Sequence, residues 1–379
     1  MDIMKTKAAV LYSVDHSPPY GASQPLAVEE LDLAGPGPGC VLVEVAAAGL
    51  CHSDLSVING TRPRVMPMVL GHEAAGVVRE TGSGVHDFSA GDHVVFSYVP
   101  ACGHCLYCAV GRPALCENGA RANAAGTLLD GSRRFMNRAG AALHHHLGVS
   151  AFSQFTVAAR ESLIKIDAEL PLETAALFGC AVLTGVGAVI NSARVEPGSS
   201  VAVFGLGGVG LSVVLGARVA GAESIIAIDT MPRKLDTART LGATAAVQAG
   251  SADVVASIRE LSPGGVDYAF ECVGIETVLI QAYESTRRGG TTVALGLPAP
   301  HKQFSVPAVS LVAEERTIKG SYMGSAVPRR DIPRLIALYR AGRLPVELLL
   351  THSLKLEEIN SAFDRLDRGE AVRQVLRFE

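Results

Sequence analysis

The chain has 379 residues, 48% of them hydrophobic and only 5% aromatic, with 40 Gly and no Trp. That length is too great for one compact core and suits two domains, and the apolar, Gly-rich composition fits an α/β protein of short strands and tight turns while excluding disorder. With 33 basic and 37 acidic residues, a net charge of -4 and neither like-charge blocks nor a basic stripe, nothing recommends nucleic acid or membrane as partner, and a small molecule is the expected ligand.

The N-terminus MDIMKTKAAVLYS turns strand-like within a few residues and offers no signal-peptide apolar run. No window of about 18 uncharged apolar residues follows, so a cytoplasmic protein is expected. To about residue 180 short β runs such as VLVEVAAAG, EAAGVVRETG and GDHVVFSYVP alternate with Gly, Pro and Asp turns, which predicts a mostly β domain.

Within this part, CGHCLYCAVGRPALC places Cys102, Cys105, Cys108 and Cys116 in fifteen positions. In a reducing compartment such clustering reads as thiolate ligands, not disulfides. Tetrahedral zinc accepts four thiolates, and a knuckle of this spacing lets the backbone wrap one ion. With all four positions filled by protein, the expected role is structural. His104, inside the knuckle, reads as a solvent-facing loop residue. The segment from Glu117 to Ala151 is the least regular and contains His144, His145 and His146. Three consecutive side chains cannot all point at one ion from a regular helix or strand, so they read as loop or interface residues without metal.

From VAVFGLGGVG onward the pattern becomes strand–helix alternation: VAVFG, a helix through Ala220, SIIAID, a helix near RKLDTARTLG, then DYAFECVG and TTVALGL. This predicts a parallel sheet with helices on both faces. GLGGVG, Gly205 to Gly210, follows a strand and opens a helix. Gly205 would allow the tight turn, Gly207 would let backbone approach a pyrophosphate at the helix N-terminus, and Gly210 would permit close helix packing. Asp229 ends the next strand, where a carboxylate bonds the adenosine ribose hydroxyls and repels a 2′-phosphate, so NAD is favoured over NADP. A helix N-cap is the other reading of Asp229. Beyond Tyr322 the chain reads as helical (IPRLIALYRAG, LEEINSAFDRLDRG) and closes on the strand-like VRQVLRF.

A second set of metal-ligating residue types is dispersed: Cys51 in GLCHSD, His72 and Glu73 in GHE, and Cys180 in FGCAVLTG. Taken singly each is weak, and Cys180 in its apolar stretch reads as a buried inert cysteine. Together, and ahead of a nucleotide-binding signature, they form a pattern. With GHEAAGVV, the knuckle, FSQFTVA, GCAVLTGVGA, GLGGVG, Asp229 and the final EAVRQVLRF in this order, the sequence resembles the zinc-dependent medium-chain alcohol dehydrogenases over essentially its whole length.

The resemblance implies a GroES-like, mostly β catalytic domain (1–181 and 325–379) and a Rossmann doubly wound parallel-sheet domain (182–324) binding NAD. It also implies two zinc ions per chain, the second on Cys51, His72 and Cys180, the known open Cys2His arrangement of alcohol dehydrogenases. Asp54 would orient His72, and Glu73 would stand behind the metal as an occasional ligand. Ser53 would take the alcohol proton and pass it toward the cofactor ribose. His52 and Arg373 would hold the pyrophosphate, Thr184 and Val209 pack on the nicotinamide, and Lys234 lie near the adenosine ribose, with Gly208 in the phosphate loop.

Two departures qualify this picture. Family members with an onward relay histidine carry it where this chain has Ser56. Members acting on the glutathione adduct of formaldehyde carry an acidic residue where this chain has Arg62, with Arg64 close behind. Tyr98 and Leu297 take substrate-channel positions. The expected activity is therefore reversible oxidation of a primary or aryl alcohol to the aldehyde, with glutathione-dependent formaldehyde dehydrogenase and a non-catalytic nucleotide-binding protein as alternatives. The long form of the segment after the knuckle, as in dimeric members, implies a homodimer paired through the nucleotide-binding sheets near TTVALGL and the segment following it.

Overall fold

A computed structural model describes residues 3–250 and 253–378. The chain divides into two units, one comprising 1–180, 327–333 and 350–379, the other 181–326 and 334–349. Residues 334–349, placed by the sequence reading with the zinc-binding part, group with the second unit.

The first unit is built on two sheets. One runs Phe135–Met136, Leu26–Ala34, Ile3–Leu11, Met68–Val69, His144–His145 in spatial order. Its apolar face, with Ala8, Val10, Leu31, Leu33, Val69, Phe135 and Leu143, closes a core that also takes Leu42 and Val157 from the other sheet. That second sheet is ordered Leu163–Ile166, His93–Phe96, Glu73–Thr81, Cys40–Gly49, Arg373–Arg377, Leu350–Leu354, with Phe155–Ala159 also pairing on Cys40–Gly49. Cys40–Gly49 is covered on both sides, which is why CVLVEVAAAG reads as a nearly continuous apolar run instead of alternating.

Register in this sheet decides what meets at its end. Gly49 pairs with Glu73 on one side and with Val375 on the other. Cys51, His72 and Arg373 are therefore carried to the same end of three neighbouring strands. Gly49 is glycine for a local reason: a Cβ there would lie 2.5 Å from Glu73 Oε1.

The second unit holds a six-stranded parallel sheet in the order Ala245–Gln248, Ser224–Asp229, Ser200–Phe204, Val266–Glu271, Thr286–Ala294, Thr317–Gly320. Counted along the chain this is 3-2-1-4-5-6, the doubly wound order of dinucleotide-binding sheets. Helices Gly208–Ala220 and Pro232–Leu241 end on left-handed Gly221 (φ 83°) and Gly242 (φ 118°), which close their last turns without a Cβ penalty. TTVALGL supplies an interior strand here, because Thr317–Gly320 pairs outside it and forms the edge.

Candidate active site

In the first unit the dispersed set converges. Cys51 Sγ, His72 and Cys180 Sγ offer ligand atoms all within 4.8 Å of one another, and Cys180 Sγ lies 3.4 Å from His72 Nε2. All three residues are buried. Two thiols and an imidazole facing each other at this spacing, with no disulfide between the cysteines, suit zinc, and three donors leave a tetrahedral position open.

The other edge of the His72 ring is fixed by Asp54, whose Oδ1 lies 3.0 Å from Nδ1. Asp54 is fully buried on helix His52–Ile58, and its Oδ2 accepts from Cys51 N–H at 3.2 Å while Oδ1 also accepts from Gly71 N–H at 3.3 Å. Burial alone would raise its pKa, but the imidazoles of His72 and His146 beside it outweigh burial and hold it well below the usual carboxylate range. Glu73 is also fully buried and is ion-paired with Arg373, itself 3% exposed. Burial dominates for Glu73 and raises its pKa despite that partner.

Ser53 sits in the first turn of the same helix, half-buried, with His52 exposed before it. Ser56 Oγ donates to the Ser53 carbonyl at 2.9 Å, so its hydroxyl is tied back to its own helix. Tyr98 is buried with its ring edge-on to His72 at 5.6 Å between centroids. Arg62 is half-buried, and Arg64 extends an Nη1 to 3.5 Å from the Asn123 carbonyl.

The knuckle is assembled as well. Its four cysteines offer sulfurs within 4.8 Å of one another. N–H groups already point at the sulfurs: Cys102 N and Gly119 N to Cys116 Sγ at 3.3 Å, Cys105 N and Asn118 Nδ2 to Cys102 Sγ at 3.4 and 3.2 Å. Such donors stabilise thiolates, and they fit a four-sulfur zinc. His104 is exposed.

In the second unit Gly205 has φ 85°, and Gly210 packs so closely that a Cβ would stand 1.8 Å from the Gly205 carbonyl oxygen. Gly207 differs: nothing lies within 4 Å of where its Cβ would be. It is the N-cap of Gly208–Ala220 and brings no side chain to the first N–H groups of that helix, an arrangement suited to close approach of a pyrophosphate. Asp229 accepts from Leu206 N–H at 2.8 Å and Met231 N–H at 3.0 Å, with Lys234 Nζ at 4.0 Å. It thus ties the glycine loop to the turn before the next helix, whose N-cap is Met231 and not Asp229. Val209 is half-buried, Thr184 is buried with Oγ1 lacking a hydrogen bond, and Leu297 is 47% exposed.

Arg373 is buried and ion-paired with Glu73, because strand register sets it beside that residue. One placement departs from expectation. The three histidines are not a simple loop. His144–His145 forms a short parallel strand with Met68–Val69, His145 accepts from Arg134 N–H at 3.1 Å, and His146 is buried beside Asp54. No spacing signal marks His146, since its neighbours come from distant segments.

Two family models match the chain, "Alcohol dehydrogenase GroES-like domain" over residues 37–168 and "Zinc-binding dehydrogenase" over 208–341. Together with the paired folds they define a two-domain zinc-binding dehydrogenase. An S-(hydroxymethyl)glutathione dehydrogenase of Escherichia coli is 41% identical, the match spanning 99% of this chain and all of that one. Among solved structures, an alcohol dehydrogenase zinc-binding domain protein from Burkholderia ambifaria is 40% identical with TM-score 0.94, covering both chains completely. A benzyl alcohol dehydrogenase from Acinetobacter calcoaceticus is 31% identical with TM-score 0.92, over 99% of this chain and 100% of that one. The chain belongs to the zinc-dependent medium-chain alcohol dehydrogenase family, and it is a zinc-dependent oxidoreductase.

Proposed function

We propose that this enzyme oxidises a primary or aryl alcohol reversibly to the aldehyde, with NAD as hydride acceptor. The observation that carries the reading is the buried three-donor cluster of Cys51, His72 and Cys180 with Asp54 behind His72. Zinc held by those three residues supplies Lewis acidity that makes an alcohol hydroxyl acidic, and the nicotinamide supplies the redox chemistry. Asp54 fixes the His72 ring so that Nε2 faces the cysteines. Ser53 Oγ takes the hydroxyl proton and passes it toward the ribose. With Ser56 bonded to its own helix, the exposed His52 is the outlet to solvent. The knuckle on Cys102, Cys105, Cys108 and Cys116 holds a second, structural zinc. Asp229 and Lys234 receive the adenosine ribose, and Gly205 to Gly210 the pyrophosphate, while Thr184 and Val209 pack on the nicotinamide.

Oxidation of S-hydroxymethylglutathione is the second reading, favoured by the relative at 41% identity. Against it stand Arg62 and Arg64, which would repel the adduct's ammonium. A panel of alcohols with and without glutathione decides between them. Benzyl and simple primary alcohols are expected to exceed the adduct in kcat/KM, and Arg62→Asp to raise activity on the adduct while benzyl alcohol turnover stays nearly constant. A parent enzyme preferring the adduct to every free alcohol overturns the substrate assignment.

The enzyme is proposed to be a cytoplasmic homodimer. Among the described residues no single helix is long and apolar enough to cross a membrane, and the eight cysteines are all free, as in a reducing compartment. The pairing surface is the edge strand Thr317–Gly320 with helix Ala308–Ala313, where Val309 and Val312 are 71% and 80% exposed. An isologous contact there would extend the sheet across a two-fold axis. Light scattering should give about twice the 39.4 kDa chain mass; a fourfold mass would reject the dimer.

A further inference from the structure

We propose that His146 is a positioning residue of the catalytic metal site, acting with His72 as a second imidazole on Asp54. The proposal rests on the reading of His72 as a zinc ligand. His146 is 1% exposed, and its Nδ1 lies 3.1 Å from Asp54 Oδ1, the same oxygen that faces His72 Nδ1 at 3.0 Å. The two imidazole rings stand edge to face, 5.5 Å apart at 86°. Among the described residues His146 Nδ1 has no hydrogen-bond partner, so the nearby carboxylate oxygen is the group available to it. A fully buried ring nitrogen left unpaired is costly, which favours its pairing with the carboxylate 3.1 Å away.

The backbone is arranged to put the ring there. Leu147 (φ 54°), Gly148 (φ 67°) and Ser150 (φ 52°) all lie in the left-handed region, which the first and last occupy against ordinary side-chain preference. His146 N–H donates to Ser150 Oγ at 2.9 Å, and that hydroxyl donates to the Val69 carbonyl at 2.9 Å. Ala151 N–H and Phe152 N–H donate to the Gly71 and Leu70 carbonyls at 3.1 and 3.0 Å. The turn carrying His146 is thus clamped onto the residues immediately before His72. A metal-ligating histidine takes its orientation and basicity from the group behind it, and that group in turn from its own donors. Asp54, sealed from water, can hold His72 in place only as well as it is itself held. His146 brings its Nδ1 from this clamped turn to Oδ1, the oxygen that His72 faces, while the Cys51 N–H at the start of helix His52–Ile58 serves Oδ2.

The test is zinc release from the purified full-length enzyme to 4-(2-pyridylazo)resorcinol, followed spectroscopically, with the knuckle zinc as internal control. Parent enzyme should release two ions per chain in separable phases. His146→Phe, which keeps the ring volume without a donor, should release the Cys51/His72/Cys180 ion about 10 to 100-fold faster and leave the knuckle phase unchanged. His146→Asn places an amide N–H where Nδ1 lies and should stay within about threefold of the parent, whereas His146→Gln, whose amide lies where Nε2 does, should release like the Phe variant. The Asn and Gln comparison stands even if the Phe variant does not fold. Parent-like release by both Phe and Gln variants, or equal release by Asn and Gln, overturns the proposal. His72→Ala separates the two readings: if it still holds two ions per chain, the ligand assignment itself fails.

Discussion

The glycine loop permits a sharp test, because two of its glycines are glycine for different reasons. Gly207→Ala adds a methyl that meets nothing within 4 Å, at φ -77°, which any residue adopts. Ala is a poorer N-cap than Gly, by up to about 1 kcal/mol, while a stiffer unfolded chain returns about 0.4–1 kcal/mol. Folding stability should therefore stay within about 1 kcal/mol of the parent. The methyl nevertheless enters the space assigned to the pyrophosphate, so the Kd for NAD should rise at least about tenfold, or roughly 1.4 kcal/mol. Gly210→Ala places its methyl 1.8 Å from the Gly205 carbonyl oxygen, a backbone atom that cannot swing away. Overpacking of this kind costs about 1–3 kcal/mol or more, and at roughly 2–4 °C per kcal/mol for a unit of this size the Tm should fall by at least about 2 °C. Differential scanning calorimetry without cofactor, paired with NAD titration calorimetry, reads both quantities. Unchanged NAD affinity in Gly207→Ala would refute the placement of the pyrophosphate, and an unchanged Tm in Gly210→Ala would refute the close approach.

Three further outcomes are expected. Cys108→Ser should lower the Tm, since a closed site contributes its binding free energy to folding, whereas Cys180→Ser should abolish turnover with a smaller loss of Tm; thermal scans and a steady-state assay separate them. NAD should be preferred over NADP by at least about tenfold in kcat/KM, or 1.4 kcal/mol, and Asp229→Gly should weaken that preference as the carboxylate that repels a 2′-phosphate is removed; equal efficiency with both cofactors in the parent would contradict it. His145 should make the protein acid-sensitive. Burial first, with Arg134 second, pushes its pKa down from 6.5 to about 3. Its folded-state pKa is depressed, so the unfolded chain takes the proton first: the contribution is whole above about pH 6.5 and is lost as pH falls toward 3. Between pH 7 and 5 this residue should cost about 2 kcal/mol, and in urea titrations His145→Phe should lose correspondingly less stability over that interval, despite a pH-independent penalty for the unpaired Arg134 N–H. Parallel pH slopes for parent and variant would show that His145 is not held neutral.

The local part of this protein was legible from its residues. Strand–helix alternation and GLGGVG specify the doubly wound sheet, because both depend on periodicity and backbone freedom over a few positions. The knuckle is equally local, since its four sulfurs lie within one loop and their spacing nearly determines that they meet. The dispersed set was readable only through its order along the chain and its family resemblance. That Cys51, Glu73 and Arg373 share one end of a sheet follows from register, with Gly49 opposite both Glu73 and Val375, and register is a property of strand pairing that no single segment contains. The burial of the Glu73–Arg373 pair and the arrival of His146 at Asp54 were decided by the tertiary structure alone. A charge reads as exposed and a histidine run as loop until other strands remove the water around them, and only the packed fold says which side chains lose it.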